Sequence, residues 1–495
     1  MATQWSHLDR RSFLRGAGAL VALAATGTAA GAARGKPLSL QGLRRAVGGT
    51  VFTRGQAGYS AAAHLYNERF DSIQPLAVAR PDTAAGARDA VRWAVSKGVR
   101  LRARSGGHSY AGYSTLDDGV VLDLRNLRHV SVDRAAGTAT VGAGTQLIDL
   151  YAALASAGAT IPSGSCPSVG ISGVALGGGM GLAGRAYGLT TDHIVEAQVV
   201  TADGRLRRVN ARTDPDLLWA LRGGGGGNFG IVTEFTFKLL AMPLSATYFF
   251  VTWPWGTAAE ALHAWMRWAP RTDSRITSIF RLTVANGEPQ VAVSGQFIGP
   301  QANLAAFLKP ILDLPGADIW SGSEPYLALQ LTWAGCVDTP EAACHTVGAA
   351  PDGALSRSFF FAKSDYVGEP ISEHGAGALV AAVAARGRSL GSGVVLMDSY
   401  GGAINQVAPH ATAFVHRDQL CAIQYLSYGR DHAWLQQTWQ TMRPYVSGQA
   451  YQNYIDPDLH GWERAYYAGN YTRLAATRRE YDPHHFFNFR QAIGR

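Results

Sequence analysis

Two stretches decide the reading: Arg104-Ser105-Gly106-Gly107-His108-Ser109-Tyr110 and Ser163-Gly164-Ser165-Cys166-Pro167-Ser168-Val169-Gly170-Ile171-Ser172-Gly173. Each sets one nucleophile, an imidazole or a thiol, on nearly bare backbone. Taken singly, His108 reads as a loop histidine bonded to backbone, and Cys166 as a buried thiol. Together they suit one electrophilic cofactor bonded at two points, and few other arrangements ask for both. The 58 glycines are too many for loops alone and cluster at 106–112, 170–188 and 223–230. Backbone must approach something closely there.

The chain has 495 residues, 47% of them hydrophobic and only 16% charged, which excludes disorder and suits two or three packed domains. The net charge is +8, yet no dense Lys/Arg run is interleaved with aromatics, so nucleic acid is not an expected partner. Arg10-Arg11-Ser12-Phe13-Leu14-Arg15 is a twin-arginine pattern, followed by a small-residue apolar stretch from Gly16 to Ala33 with Ala30-Gly31-Ala32 resembling a cleavage site. Residues 1–33 therefore read as a signal peptide rather than a stable membrane anchor, because the stretch is rich in Ala, Gly and Thr and barely reaches spanning length. Export by the twin-arginine translocase and an extracytoplasmic, secreted location are expected. In such a protein Cys336 and Cys344 read first as a local disulfide; zinc is the rival, but His345 and Asp338 do not complete a ligand set. Cys421 lies in an apolar strand as a small hydrophobe, and Cys166 is left without a partner.

From residue 75 the pattern alternates strand and helix. Strands are expected at 75–79, 99–103, 120–124 and 139–141, with helices from Asp82 or Thr83 to Ser96 and from about Gln146 to Ser156. Asp203-Gly204 marks a hairpin between strands 193–201 and 205–209; a short helix 214–221 and a strand 231–239 follow. Beyond Pro243 the glycine clusters fade. Strands 246–251, 276–282, 290–297, 394–398 and 420–426 alternate with helices 257–268, 302–312, 372–386 and 431–443, which predicts a second, α+β unit with helices on one face of a sheet. The tail reads as a helix 461–480 and an aromatic run Tyr481–Phe489.

Gly179-Met180-Gly181-Leu182-Ala183-Gly184 matches the dinucleotide fingerprint but lacks the strand that should precede it, so a Rossmann site is not expected. Glycine runs can still wrap a pyrophosphate. The order Arg-Ser-Gly-Gly-His, Cys-Pro-Ser-Val-Gly, Gly-Gly-Gly-Met-Gly, Gly-Leu-Thr-Thr-Asp and Gly-Gly-Asn-Phe-Gly-Ile-Val resembles the berberine-bridge-enzyme-like FAD-linked oxidases of the vanillyl-alcohol-oxidase superfamily. Tyr466-Tyr467-Ala468-Gly469-Asn470-Tyr471, Tyr481-Asp482-Pro483 and Phe487-Asn488-Phe489 resemble that family's C-terminal motif. The resemblance covers about residues 70–495. It implies an α+β fold with a PCMH-type FAD-binding domain over 36–240, a substrate domain with an antiparallel sheet over 241–449, and a returning segment over 450–495.

By the same resemblance FAD is bonded to His108 through its 8α-methyl group and to Cys166 through ring carbon 6. Two bonds would hold the ring and raise its reduction potential. Arg104, Ser105, Gly106, Gly107, Ser109, Ser165, Val169, Gly170, Gly173, Gly177, Gly178, Gly179, Gly181, Asp192, Asn228, Gly230, Ile231 and Val232 would line the cofactor, with Tyr481 and Asn488 closing it from the tail. No metal is expected.

Alcohol oxidation needs a base for the hydroxyl proton. Tyr451-Gln452-Asn453-Tyr454 resembles the family's Tyr-x-Asn-Tyr segment, which assigns Tyr454 as base, provided that its neighbours lower a phenol pKa of about 10. Gln424 stands where some relatives carry a carboxylate base; it cannot take a proton and would orient substrate or tyrosine. Asp398 and Tyr400 form a second acidic and phenolic pair, and Tyr110 follows the histidine. For Tyr110, Tyr400, Asp398 and Gln424 plain packing remains open. The expected function is oxidation of an alcohol, in a sugar, oligosaccharide or glycosylated or polyketide metabolite, to ketone, lactone or acid, with O2 reduced to H2O2. The alternatives are an oxidative cyclase or dehydrogenase tailoring a secondary metabolite, and a carbohydrate-binding protein with a structural flavin. For the last, Trp253, Trp255, Trp265 and Trp268 are candidate sugar platforms, although helix-spaced Trp265 and Trp268 suit a core.

Overall fold

The computed structural model describes residues 39–348, 352–389 and 391–495. The twin-arginine stretch lies outside the described residues. Among these, no helix is long and apolar enough to cross a membrane.

The N-terminal half is built on two sheets. In the first, Gly49–Thr53, Ala77–Pro81, Val120–Asp123 and Leu101–Arg104 lie side by side in that order, the last three parallel. The crossover helix Ala84–Lys97 starts where Thr83 Oγ1 accepts from Gly86 N at 3.1 Å and stops at Gly98, whose φ of 61° suits glycine. Its Ala87, Ala90, Val91, Trp93 and Ala94 pack on the sheet. Leu101–Arg104 then runs straight into the His108 loop. The second sheet is antiparallel, ordered Val130–Asp133, Thr138–Gly142, Ile231–Lys238, Ile194–Val200, Leu206–Asn210. The fingerprint glycines follow a helix, Ile171–Leu176, and no strand, as the sequence led us to expect.

The C-terminal half is one antiparallel sheet of seven strands. Their order is Asp318–Pro325, Ser245–Trp253, Glu288–Phe297, Ile276–Ala285, Gly393–Ser399, Cys421–Tyr428, Phe360–Val367. Alternate residues such as Phe249, Phe280, Val293, Met397 and Ile423 pack under the helices Ala258–Trp268, Leu304–Leu312, Glu373–Arg388 and Ala433–Met442. Trp253, Trp265 and Trp268 are buried in that core and are not sugar platforms. The opposite face looks toward the glycine loops.

Both edge strands, Asp318–Pro325 and Phe360–Val367, went unforeseen, because Gly322 and Ser323 in one and Lys363 to Asp365 in the other interrupt the apolar signal. The helix Tyr326–Trp333 was missed as well. The expected tail helix is two helices, Trp462–Tyr467 and Tyr471–Tyr481, broken at Ala468, which adopts φ 42°. Tail residues Tyr466, Leu474 and Ile493 share a core with Leu147 and Phe235, so the chain returns to the first half. Cys336 and Cys344 are joined and pack on Ile148.

Candidate active site

The two nucleophile loops are pressed back to back. A methyl group on Gly106 would sit 2.2 Å from Gly170 N, and one on Gly170 would sit 2.0 Å from Ser105 Oγ. Only glycine permits that approach. Leu147 N and Ile148 N, opening the helix Leu147–Ser156, donate to Val169 O and Pro167 O at 2.9 and 3.1 Å and fix the Cys166 loop. His108 stacks on Tyr66 at 4.1 Å, and its Nε2 meets Ser168 Oγ at 3.0 Å. Burial pushes its pKa down to about 3, so the ring is neutral and nucleophilic. Cys166 is open to the cleft; its surroundings, and secondarily the charge of Asp398, push its thiol pKa up.

Several residues expected to line a cofactor are committed to the protein instead. The buried Arg104 guanidinium donates to the carbonyls of Ala62 and Ala63 and to Asp123. Asp123 also receives Arg80 and Arg125. Burial opposes its charge, but the three arginines prevail and hold the carboxyl down at about 2. Asp192 pairs with Arg417 at 2.6 and 3.0 Å and accepts from Leu189 N. Asn228 ties Gly224 O to Ile493 N. Tyr481 donates to Asp214, and Ile231 and Val232 are buried in strand cores. Ser105 and Ser109 hydroxyls hold backbone at Ala143 and Tyr113. These side chains shape the loops. Open space remains at Gly173, where a methyl group would meet nothing within 4 Å, and Asn488 is exposed. The hydroxyls of Ser114, Thr115 and Thr145 are buried without a partner. Bare backbone and orphaned hydroxyls beside His108 and Cys166 fit a polar, phosphate-bearing group.

The tail segment clamps the fingerprint glycines. Tyr451 Oη accepts from Gly179 N and Asn453 Nδ2, each at 2.9 Å, and Asn453 Nδ2 also donates to Val174 O at 3.0 Å. Tyr451 N donates to Ser364 Oγ on an edge strand of the roof. Tyr454 is thereby held between floor and roof, stacked on Tyr110 at 5.3 Å. Gln424 Nε2 donates to Tyr110 Oη at 2.5 Å, so it orients the tyrosine pair.

Tyr454 does not have the lowered pKa that a phenolate base requires. Burial first, then the charge of Asp398 and Tyr110, pushes it well above 10. Tyr400 is fully buried, and its hydroxyl meets Tyr366 Oη at 2.9 Å rather than the cleft. Asp398 is different. It is half-buried on the side of the sheet that looks toward the glycine loops, and burial raises its carboxyl to about 7 against the opposing pull of Arg281. Arg281, two residues along the neighbouring strand from Ile279, which pairs with Asp398, lies on the same face, and its Nε has no partner. Sequence reasoning missed Arg281 and Tyr66, and gave Tyr451 no role of its own. A lone arginine inside the apolar strand Ile276–Ala285 was the available signal for the first.

A flavin cradle under a polar sheet roof defines a flavoprotein oxidoreductase, and comparison with known proteins agrees. Residues 75–210 match the family model of the FAD binding domain, and residues 450–494 match that of berberine and berberine-like proteins. The chain is 33% identical over 460 residues to the uncharacterized FAD-linked oxidoreductase YgaK of Bacillus subtilis, covering 90% of this chain and 96% of that one. Among solved structures it is similar to Physcomitrella patens BBE-like 1, with TM-score 0.85, 33% identity and coverage of 92% and 99%. It is also similar to xylooligosaccharide oxidase from Myceliophthora thermophila C1 in complex with xylobiose, with TM-score 0.82, 26% identity and coverage of 92% and 98%. The chain belongs to the berberine-bridge-enzyme-like FAD-linked oxidoreductases.

Proposed function

We propose that this protein is an exported oxidase that converts a carbohydrate hydroxyl to a lactone or ketone on FAD bonded to both His108 and Cys166. When bound, FAD supplies the two-electron acceptor and passes the electrons to O2, with H2O2 as co-product. The observation that carries the reading is Asp398, a half-buried carboxyl on the roof sheet, close enough to Cys166 for its charge to act on that thiol and with its own pKa raised to about 7. A general base works best with a pKa near the operating pH. Asp398 takes the hydroxyl proton, and Arg281 steadies the charge on the carboxylate and on the oxygen that gives it up. Gln424, Tyr110 and Tyr454 form a stacked, hydrogen-bonded wall that orients the sugar ring. The neutral His108 ring leaves Nδ1 free while Nε2 is bonded to Ser168. The twin-arginine pattern at Arg10 and Arg11 supports export of a folded, cofactor-loaded chain, and a xylobiose-bound neighbour supports a carbohydrate substrate.

The test is anaerobic mixing of the purified holoprotein with mono- and oligosaccharides, followed by peroxide detection and mass mapping of acid-denatured peptides. Sugar-driven bleaching, with flavin on the His108 and Cys166 peptides, is expected. A yellow protein that no sugar or natural-product alcohol bleaches would refute the oxidase reading. Flavin on the His108 peptide alone would refute the second bond.

A further inference from the structure

The Cys166 loop is held by a brace that begins in the other half of the molecule. The loop is laddered to the turn that opens the helix Leu147–Ser156. Leu147 N donates to Val169 O at 2.9 Å, Ile148 N to Pro167 O at 3.1 Å, and Ile171 N to Thr145 O at 2.9 Å. Gln146 and Gly170 face each other in that ladder. The loop therefore stands wherever residues 145–148 stand.

One side chain grips this turn from outside. His345 is buried; its Nδ1 meets Gln146 Oε1 at 2.7 Å, and its Nε2 meets Asp149 Oδ1 at 3.1 Å. Both ring nitrogens are engaged, so the imidazole spans the start of the helix. His345 directly follows Cys344, and the disulfide from Cys344 to Cys336 packs on Ile148, which lies between the two gripped residues. Cys336 N in turn donates to Leu331 O near the end of the helix Tyr326–Trp333, and that helix packs on the roof strand at Ala246 through Tyr326 and Leu329. Although the two nucleophile loops touch, the His108 loop takes its own position from the strand Leu101–Arg104 and from the stack on Tyr66.

Resting on the reading that FAD is bonded to both nucleophiles, we propose that His345, anchored by the disulfide, is a positioning residue for the bond at Cys166 and not for the bond at His108. In forming that bond the sulfur replaces the hydrogen on ring carbon 6. The thiol hydrogen and the displaced hydrogen leave with an electron pair to O2, which becomes H2O2. The sulfur must meet one ring atom, and a misplacement of about 1 Å costs such a reaction roughly 10²-fold. With Cys336 and Cys344 reduced, His345 loses its anchor, so the state of that pair sets whether the second bond is completed.

Mass mapping of the acid-denatured holoprotein tests this, read as the ratio of flavin on the Cys166 peptide to flavin on the His108 peptide. In His345→Ala the ratio is expected to fall at least about tenfold while the His108 peptide stays loaded, and the double variant Cys336→Ser with Cys344→Ser is expected to do the same. His345→Ala keeps the disulfide and decides the matter alone if the double variant does not fold. An unchanged ratio in His345→Ala, or an equal loss at both peptides, overturns the proposal. If the parent itself carries flavin on His108 alone, the second-bond reading fails, and amide hydrogen exchange then decides the brace. Faster exchange at Leu147, Ile148 and Ile171 in His345→Ala keeps it; unchanged exchange removes it.

Discussion

The cradle around His108 and the roof around Asp398 use their polar side chains in opposite ways. In the cradle they are spent inward: Arg104 on two chain segments, Asp192 on Arg417, Asn228 on the tail. What faces the cofactor is backbone and two nucleophiles. In the roof Arg281 Nε and Ser294 Oγ are left without bonds, on the face that also carries Asp398. Buried polar groups normally find partners, so unpaired ones mark where a ligand completes the set. A cofactor that never changes can be held by rigid backbone. A substrate is read by side chains that can be exchanged without disturbing the sheet.

The contrast predicts that cradle changes cost the holoenzyme and roof changes cost only turnover. Gly106→Val is the harshest case, since its branch would drive into Gly170 N and Ser168 O. The expected outcome is a chain that carries almost no flavin, read as visible absorbance per mole; full flavin content would break the comparison. Asp398→Asn should keep its flavin and lose about 10²- to 10⁴-fold in turnover. In the parent kcat/KM should rise with pH through about 7, as Asp398 ionises, and the variant should lose that limb. Tyr454→Phe should cost less than Asp398→Asn; the reverse ranking would return the base to the phenol.

Asp123→Asn has the smallest effect on chemistry. It leaves Arg104, Arg80 and Arg125 buried or half-buried without their shared anion, a loss of about 3 kcal/mol. Because the folded carboxyl is depressed to about 2, its contribution is present above the unfolded value of about 3.9 and fades as pH falls through about 2. A melting series against pH should show this limb in the parent and not in the variant.

Much of the first half was legible. Thr83 and Gly98 bound the helix they were expected to bound, and Asp203-Gly204 turns between its two strands. The edge strands were not legible. In Phe360–Val367 polar groups such as Lys363 and Ser364 sit inside and blur the pattern, and Asp318–Pro325 buries no residue fully and so carries no apolar alternation. Trp265 and Trp320 look alike in sequence, yet one is in the core and the other is open to solvent.

By itself the sequence marked the two glycine loops that meet at Gly106 and Gly170, because each requirement there is local. A close backbone approach demands glycine, and the glycines that allow it are written as contiguous residues beside His108 and Cys166. Only the tertiary structure brought Asp398 onto one face of the roof with Arg281. The two come from neighbouring strands, and strand order and register alone put them together. The carboxyl's pKa depends on burial and on an arginine more than a hundred residues away, and no local pattern records either.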